Sequence, residues 1–319
     1  MIDFRYHIVS IVSIFLALAV GIVLGAGPLQ GELGTTLAKE VSGLRADKTA
    51  LNQQVDDARK ATDARDGYIA ETNPLVLTDA LSERTVALVI LPGADAKITQ
   101  TTEATLRSSG AAVVSRTSVS EDWVSTDKSK AAARDEAVTA VAMSTGVDVT
   151  STGAVSPRDV LLAALLTRPA GGVADQLGGT SAASGMKALS DAGLVDIDTQ
   201  GFERADLVVV TGGRVTNGTD GGQEVGKRWV DVVVALDAHS SGVVVSGDLA
   251  VGATGDGTLV GSVRNDATAV DVASTVDDSG SPMGQASIVN GLVQQNEGGV
   301  GHFGLAAGAD APFAPPPAS

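Results

Sequence analysis

The most apolar stretch of the chain lies near its start and predicts a helix that spans a membrane. Residues 8–27, IVSIVSIFLALAVGIVLGAG, are twenty positions without a charged side chain. At about 1.5 Å per helical residue, they cover the roughly 30 Å hydrocarbon core of a bilayer. A cleaved signal peptide is the alternative, because Gly25, Ala26 and Gly27 are small, but the start of the chain is hardly basic. We expect residues 1–7 in the cytoplasm, a transmembrane helix at 8–27, and the rest of the chain outside.

Small residues follow one face of this predicted span. Ser13, Ala17, Gly21 and Gly25 are spaced four apart, so a second helix can approach the backbone closely along that face. The pattern favours dimerisation through Gly21 and Gly25. The alternative is that small residues are simply common in membrane spans.

Residues 28–72 carry a heptad pattern and predict a coiled-coil stalk. The core positions, at alternating spacings of three and four, are Leu37, Val41, Leu44, Lys48, Leu51 and Val55. Valine at one core position and leucine at the other favour a coiled coil of two parallel helices. Lys48 at a core position lowers the stability of the coiled coil but helps to specify its register and oligomer state. The alternative is an amphipathic helix packed on its own domain. Asn73-Pro74 is expected to end the helix.

After Pro74, short β-branched runs alternate with amphipathic helices. The uninterrupted apolar runs at Thr85–Leu91, Leu207–Thr211 and Val243–Ser246 are typical of strands buried on both faces of a parallel sheet. Asp95, Ser156-Pro157 and Ser281-Pro282 are expected helix starts. An apolar face at i, i+3, i+4 and i+7 predicts a further helix, formed by Trp229, Val232, Val233 and Leu236. A short strand is predicted at Val270–Val272. The order predicts a Rossmann-like α/β domain over residues 73–305. The Pro- and Ala-rich tail, residues 306–319, is expected to be disordered.

The amino-acid composition narrows the range of partners and locations that fit this chain. The chain has 38 acidic and 22 basic residues, a net charge of −16 and no cysteine. This acidity disfavours a nucleic-acid partner. A protein without cysteine has no disulfide framework, which is compatible with an oxidising exterior. Together with the span, these features predict a single-pass protein of the cell membrane with an extracytoplasmic C-terminal domain.

Residues that could carry chemistry are few. Met283 and His302 are weak candidates for copper ligands, because copper favours thiolate, thioether or imidazole donors and the chain has neither a CxxC motif nor a Met-rich cluster. Asp277 and Asp278 follow a short strand and are weak candidates for a cation site or an acid–base pair, although an acidic turn that caps the next helix explains them as well. The glycine-rich stretches at 212–213, 218–222 and 252–257 lack the spacing of a phosphate-binding loop. We therefore expect no enzyme activity and no cofactor, with a hydrolase or nucleotide binder as a distant alternative.

The first residues, MIDFRYHIVSIVSIFLALAVGIVLGAG, resemble the N-terminal signature of the mycobacterial copper-transport protein B (MctB) family. The segment Ser274–Asp278 with Gly284-Gln285 is similar to a late motif of that family, so the resemblance covers nearly the whole chain. It is strongest toward the corynebacterial branch that includes the cell-separation protein SteB. The resemblance implies an actinobacterial envelope protein. It carries two conflicting implications, copper efflux for the family and control of septal wall hydrolysis for its corynebacterial branch.

Because the chain has few thioether and imidazole donors and no thiolate, its chemistry favours control of septal wall hydrolysis over copper efflux. We expect a dimeric, membrane-anchored scaffold or receptor that regulates cell separation by binding an envelope or division protein, such as a segment of a regulator of peptidoglycan hydrolases. The alternative is a component of copper transport, in which case copper would be its ligand.

Overall fold

The computed structural model describes residues 4–25, 29–149, 155–169, 177–197, 202–215 and 222–316. The contacts within the chain divide it into two compact units, residues 1–65 and 66–319. Residues 26–27, at the expected end of the membrane span, lie outside the described residues, as does the glycine-rich stretch 218–221.

Two helices form the first unit. Helix α1 is Phe4–Gly25, and helix α2 begins at Leu29 and ends at Val76, in the second unit. Every residue of α1 is exposed, and an 18-residue window within it has a mean hydropathy of 2.8. In the described part of the chain, α1 is the one helix long and apolar enough to cross a membrane. The anchor predicted from the sequence is thus present as a helix.

Helix α2 continues about one turn beyond its expected end. Pro74 lies inside the helix, although proline removes one backbone donor. The Asn73 carbonyl still accepts a hydrogen bond from the Leu77 amide at 2.8 Å, and the Asn73 side chain donates to the Pro282 carbonyl at 2.7 Å. The predicted stop at Asn73-Pro74 is wrong because contacts within the second unit hold the last turn in place.

A seven-stranded sheet organises the described part of the second unit. Its order is β3-β2-β1-β4-β5-β6-β7, and all neighbours are parallel except the antiparallel pair of β2 and β3. This confirms the mixed α/β class, with a Rossmann-like strand order. The strands are β1 Thr85–Ile90, β2 Ala112–Val119, β3 Val195–Ile197, β4 Leu207–Thr211, β5 Val243–Ser246, β6 Ser274–Val276 and β7 His302–Phe303.

Helices cover both faces of the sheet. Apolar side chains of α3 and α9 pack on one face, and those of α4 to α8 pack on the other. In β4, Leu207 and Val209 face the first layer while Val208 and Val210 face the second, which is why the whole run is apolar. The helices are α3 Ala96–Ser108, α4 Lys128–Thr145, α5 Pro157–Leu166, α6 Gly179–Asp191, α7 Gly222–Ala238, α8 Leu259–Arg264 and α9 Pro282–Asn296.

Several local predictions are confirmed. Asp95 caps α3 by accepting hydrogen bonds from two backbone amides, and Ser281 caps α9 through Gly284. Trp229 and the three apolar residues predicted to share its helical face are buried in α7. The short strand predicted at Val270–Val272 is wrong, because this segment begins as a 3₁₀ turn, Ala269–Asp271. The carboxylate of Asp266 accepts hydrogen bonds from the amides of Thr268 and Ala269 and so winds the backbone there.

The predicted disordered tail is a third correction, because residues 306–316 are folded; residues 317–319 lie outside the described residues. Ala314 is buried against α9, and its amide donates a hydrogen bond to Ser287 Oγ at 3.1 Å. The Ala314 carbonyl accepts from Asn290 at 3.0 Å, and Ala311 pairs with Phe303 in β7. Composition predicted disorder because it does not show that Ser287 and Asn290 of α9 form hydrogen bonds with the backbone of Ala314.

Candidate functional site

The carboxyl edge of the sheet is where a doubly wound fold places a ligand, at the point between β1 and β4 where the strand order reverses. Here that position is filled by the chain itself. A Cβ atom on Gly213 would overlap the carbonyl oxygen of Gly93, and a Cβ on Gly93 would lie 2.8 Å from the Arg214 carbonyl oxygen. The loops after β1 and β4 therefore pack backbone against backbone. Gly213 serves this close approach, and Gly212 leaves room for the Leu259 side chain, so both glycines have a structural role.

Asp277 and Asp278 follow β6 at the same edge, and the structure gives them different environments. Asp277 is fully buried, and its Oδ2 forms an ion pair with Arg264 Nη1 at 2.7 Å. Its Oδ1 accepts the Leu305 amide at 2.7 Å and the Ala306 amide at 3.2 Å. Arg264 also donates to the Phe303 carbonyl at 3.0 Å. These bonds use the whole carboxylate to hold the segment after β7 in place.

One of the two carboxylate oxygens of Asp278 is hydrogen-bonded within the described chain, and the other is not. Its Oδ2 accepts from Ser281 Oγ at 2.9 Å, whereas Oδ1 is buried and has no hydrogen-bond partner among the described residues. Burial raises the pKa of the Asp278 carboxyl, with smaller contributions from the negative charges of Asp277 and Asp248. Of the two predicted residues, Asp278 is therefore the one with an unused ligand atom.

His302 lies in β7 and joins the same polar network. Its Nε2 is 3.1 Å from the Val270 carbonyl oxygen, which can only accept, so Nε2 carries the proton. Its Nδ1 then accepts from the Thr275 hydroxyl at 3.0 Å, and Thr275 accepts from Arg264 Nε at 2.8 Å. Burial lowers the pKa of His302, which favours this neutral form. Both ring nitrogens are thus engaged by the protein.

Met283 lies in the first turn of α9, where its carbonyl accepts from Ser287 Oγ at 2.9 Å. The hydrogen bonds of His302 go to Thr275, Val270 and Asp310. Across the described ranges, no group of three or more His, Asp or Glu residues is placed to hold a metal ion. The sequence-predicted candidates thus share one region of the domain but do not form a ligand set suited to copper.

Sequence reasoning missed a second polar cluster, which lies within the layer of helices α4 to α8. Trp123 Nε1 donates to Asp159 Oδ1 at 2.8 Å, and Arg158 Nε lies 3.3 Å from the same oxygen. Arg134 Nη1 donates to the Trp123 carbonyl at 3.1 Å. Burial raises the pKa of Asp159 to about 6, and the positive charge of Arg158 offsets this in part. In the sequence Asp159 follows Ser156-Pro157 at the spacing of a helix-capping acid, and no local signal indicates that it contacts Trp123, 36 residues away.

The residues predicted to mediate dimerisation all lie in the first unit. Ile14, Ala17, Leu18, Gly21 and Ile22 line a shallow groove of about 470 Å³ on α1. Space for a side chain is open at both Gly21 and Gly25. The core positions of the predicted stalk, Leu37, Val41, Leu44, Lys48, Leu51 and Val55, are exposed on α2. Dimerisation through these residues stays a prediction at this point.

These features describe a class of protein, an α/β domain on a chain whose first helix is apolar and long enough to anchor it in a membrane. The chain belongs to the MctB family, described as "Copper transport outer membrane protein, MctB", whose match covers residues 1–314. Proteins named "Copper transporter MctB" from Mycobacterium tuberculosis H37Rv and Mycobacterium bovis are each 27% identical to it over 317 residues, which is 97% of this chain and 98% of the relative. A protein of the same name from Mycobacterium leprae is 27% identical over 326 residues.

Proposed function

We propose that this protein is a membrane-anchored component of copper transport. The observation that carries the proposal is the full-length relationship to proteins named copper transporters, which includes the N-terminal helix as well as the α/β domain. In this proposal α1 crosses the cytoplasmic membrane, and the α/β domain works on the extracytoplasmic side. The comparisons give no support to the cell-separation scaffold expected from the sequence, so copper transport, first considered as the alternative, becomes the proposed function.

The donor chemistry constrains how the protein contributes. Beyond α1, the thioether and imidazole groups are Met143, Met186, Met283, His239 and His302. Met186 is fully buried in the core, whereas Met143 is highly exposed on α4. His302 has both nitrogens engaged. We therefore propose that the protein acts through contacts with other proteins of the transport system, and that its described residues do not chelate the ion.

The proposal is tested by deleting the gene in its own host and measuring total cell copper by mass spectrometry, with growth in graded copper. The deletion is expected to raise cell copper and lower tolerance, while zinc content and zinc tolerance stay unchanged. Full-length protein should restore both. A deletion strain with normal copper content and tolerance would contradict the proposal.

Two variants in the same strain separate protein contacts from chelation. Met143→Leu with Met283→Leu removes the two thioethers that lie outside the core while keeping their volume, and it is expected to complement fully. A chain that lacks residues 1–27 is expected not to complement, since the anchor is missing. If the double methionine variant loses tolerance while its fold is intact by circular dichroism, chelation by thioethers is involved and the contact-based mechanism is wrong.

A further inference from the structure

A continuous apolar stripe on α2 has nothing covering it in the described chain. Leu37, Leu44 and Leu51 are 60–68% exposed, and Val41 and Val55 are 39% and 46% exposed. Every residue from 34 to 65 is exposed. Exposed apolar residues scattered singly are ordinary, but a regular stripe of them marks an interaction surface.

The helix that carries this stripe needs a partner for its own stability. Most helical stability in proteins comes from packing an apolar face, because propensity alone is weak. Gly34 and Gly43 weaken the intrinsic helix further. The heptad spacing restricts the partner to another helix with the same repeat, since knobs-into-holes packing requires matched spacing.

The charges beside the stripe identify the partner. Counting Val41 and Lys48 as position a, the g positions hold Glu40 and Asp47, and the e positions hold Arg45 and Arg59. In a parallel coiled coil, a g residue faces the e residue five positions later on the other strand. Glu40 of one copy then faces Arg45 of a second copy, and the two-fold symmetry makes this pair twice.

The antiparallel arrangement is disfavoured by the same charges. It brings g against g and e against e, so acidic residues would face acidic ones and arginines would face arginines, at a cost. Lys48 adds a further restriction. A buried charge in the core of the seam favours two strands, in which its stem can reach the surface, over more densely packed oligomers.

We propose that residues 37–59 form a parallel, in-register coiled coil with a second copy of this chain, in which Glu40 of each copy pairs with Arg45 of the other. The proposal rests on the stripe and its flanking charges, and it is independent of the copper role. A copper-tolerant deletion strain would therefore leave it intact, and a monomeric protein would leave the copper role open.

Disulfide cross-linking tests orientation and register directly. The chain has no cysteine, so an introduced one is the sole thiol. Full-length Leu44→Cys and Leu51→Cys proteins in detergent micelles are oxidised separately and run on non-reducing gels. Each variant is expected to give a dimer band that a reductant removes, because both positions meet themselves in a parallel in-register pair. Ala46→Cys, on the outer face of the same helix, is the matched control and is expected to stay monomeric.

Each other result overturns a part of the proposal. An antiparallel pair can bring at most one of the two positions against itself, so a dimer from Leu44→Cys or Leu51→Cys alone would overturn the parallel orientation. If neither variant cross-links while circular dichroism shows the helix content intact, the stripe is covered by something other than a second copy. If Ala46→Cys cross-links as well as the other two, collisions within micelles explain all three bands.

Charge exchange tests the predicted pair. Glu40→Arg and Arg45→Glu each place like charges across the interface, and each alone is expected to weaken self-association by about threefold to tenfold, the scale of exposed ion pairs. Mixing the two variants restores opposite charges at both contacts, so differently tagged copies should co-purify as heterodimers. If the mixture shows no preference for heterodimers, Glu40 does not face Arg45.

Discussion

Trp123 and Asp159 are joined by a hydrogen bond of 2.8 Å between the indole N–H and a carboxylate oxygen, with the other carboxylate oxygen buried and lacking a partner among the described residues. Asp159 is packed among charged groups from three helices. Arg158 lies beside it on α5, Arg134 reaches toward it from α4, and Asp231 acts on it from α7. Because burial is the largest influence, the pKa of Asp159 rises to about 6. A tryptophan therefore lies next to a group that titrates near neutral pH.

The first prediction concerns the pH dependence of stability. The folded state holds the Asp159 proton up to about pH 6, whereas the unfolded chain releases it near 3.8. The folded state thus binds more protons between these values, and the contribution of Asp159 to stability falls as pH rises from about 4 to above 6. We expect the free energy of unfolding of the native protein, relative to Asp159→Asn, to fall by about 2 kcal/mol between pH 4.5 and 7.5.

Chemical denaturation of both proteins across that pH range measures this difference. His239 and His302 have lowered pKa values and act in the opposite direction, but both proteins contain them, so their effect cancels in the comparison. Fluorescence gives a second measurement. In a Trp229→Phe background the emission of Trp123 should change with a midpoint near pH 6, and a midpoint near 4 would mean that Asp159 has an ordinary pKa.

The second prediction concerns the buried pair of Arg264 and Asp277. Arg264→Met leaves a fully buried carboxylate without its counter-ion, which is expected to cost about 3–5 kcal/mol of unfolding free energy. Arg107→Met, which removes the exposed i, i+4 pair with Glu103, is the matched control and should cost less than about 1 kcal/mol. Urea denaturation compares the two. Equal losses for both variants would show that Arg264 contributes no more than a surface arginine.

The third prediction concerns membrane topology, using single cysteines in intact cells and an impermeant thiol reagent. Ala238→Cys lies at the exposed end of α7 and should be labelled, because the α/β domain is expected on the outside. Tyr6→Cys, at an exposed position before the apolar stretch, should be labelled after the membrane is lysed and not before. Ser240→Cys is a buried control that should react after denaturation. The reverse order for Ala238 and Tyr6 would invert the topology.

The fourth prediction concerns Lys48 in the proposed coiled coil. Lys48→Leu removes two charges from the seam of a dimer and is expected to stabilise the stalk by about 1–4 kcal/mol, while permitting oligomers larger than two. Thermal melting of the helical signal and analytical ultracentrifugation of the full-length protein in detergent measure both effects. Lys39→Leu, on the outer face of the helix, is the control. A Lys48→Leu protein that melts at a lower temperature and remains strictly dimeric would contradict the seam assignment.

The sequence predicts an element correctly where the residues that determine it are neighbours in the chain. The uninterrupted apolar run of β4 and the cap at Asp95 are examples, since burial on two faces and a free helix end each leave a mark in a few adjacent residues. Pro74 and Ala314 could not be placed this way. Their positions depend on Asn73 reaching Pro282 and on Ser287 and Asn290 facing Ala314, which are contacts between distant parts of the chain.

The candidate site shows the same limit. The sequence identified Asp277 and Asp278 as a pair, and the structure separates them because Arg264 and the amides after β7 converge on one carboxylate and not on the other. Asp159 has the local signature of a cap, and its burial beside Trp123 depends on the packing of α4 and α5 against the loop after β2. Spacing along the chain does not encode such environments.

The packing of residues 302–314 also bears on the timing of folding during synthesis. Strand β7, the bonds to Asp277 and the seat of Ala314 on α9 all come from the last part of the described chain. The layer formed by α3 and α9 is thus incomplete until these residues have been made and, in the proposed topology, exported. Helix α1 precedes the α/β domain in the chain, so in the proposed topology the chain would be tethered to the membrane well before this domain can close. A nascent domain in this state would present open apolar surface to the export machinery and to proteases for most of its synthesis.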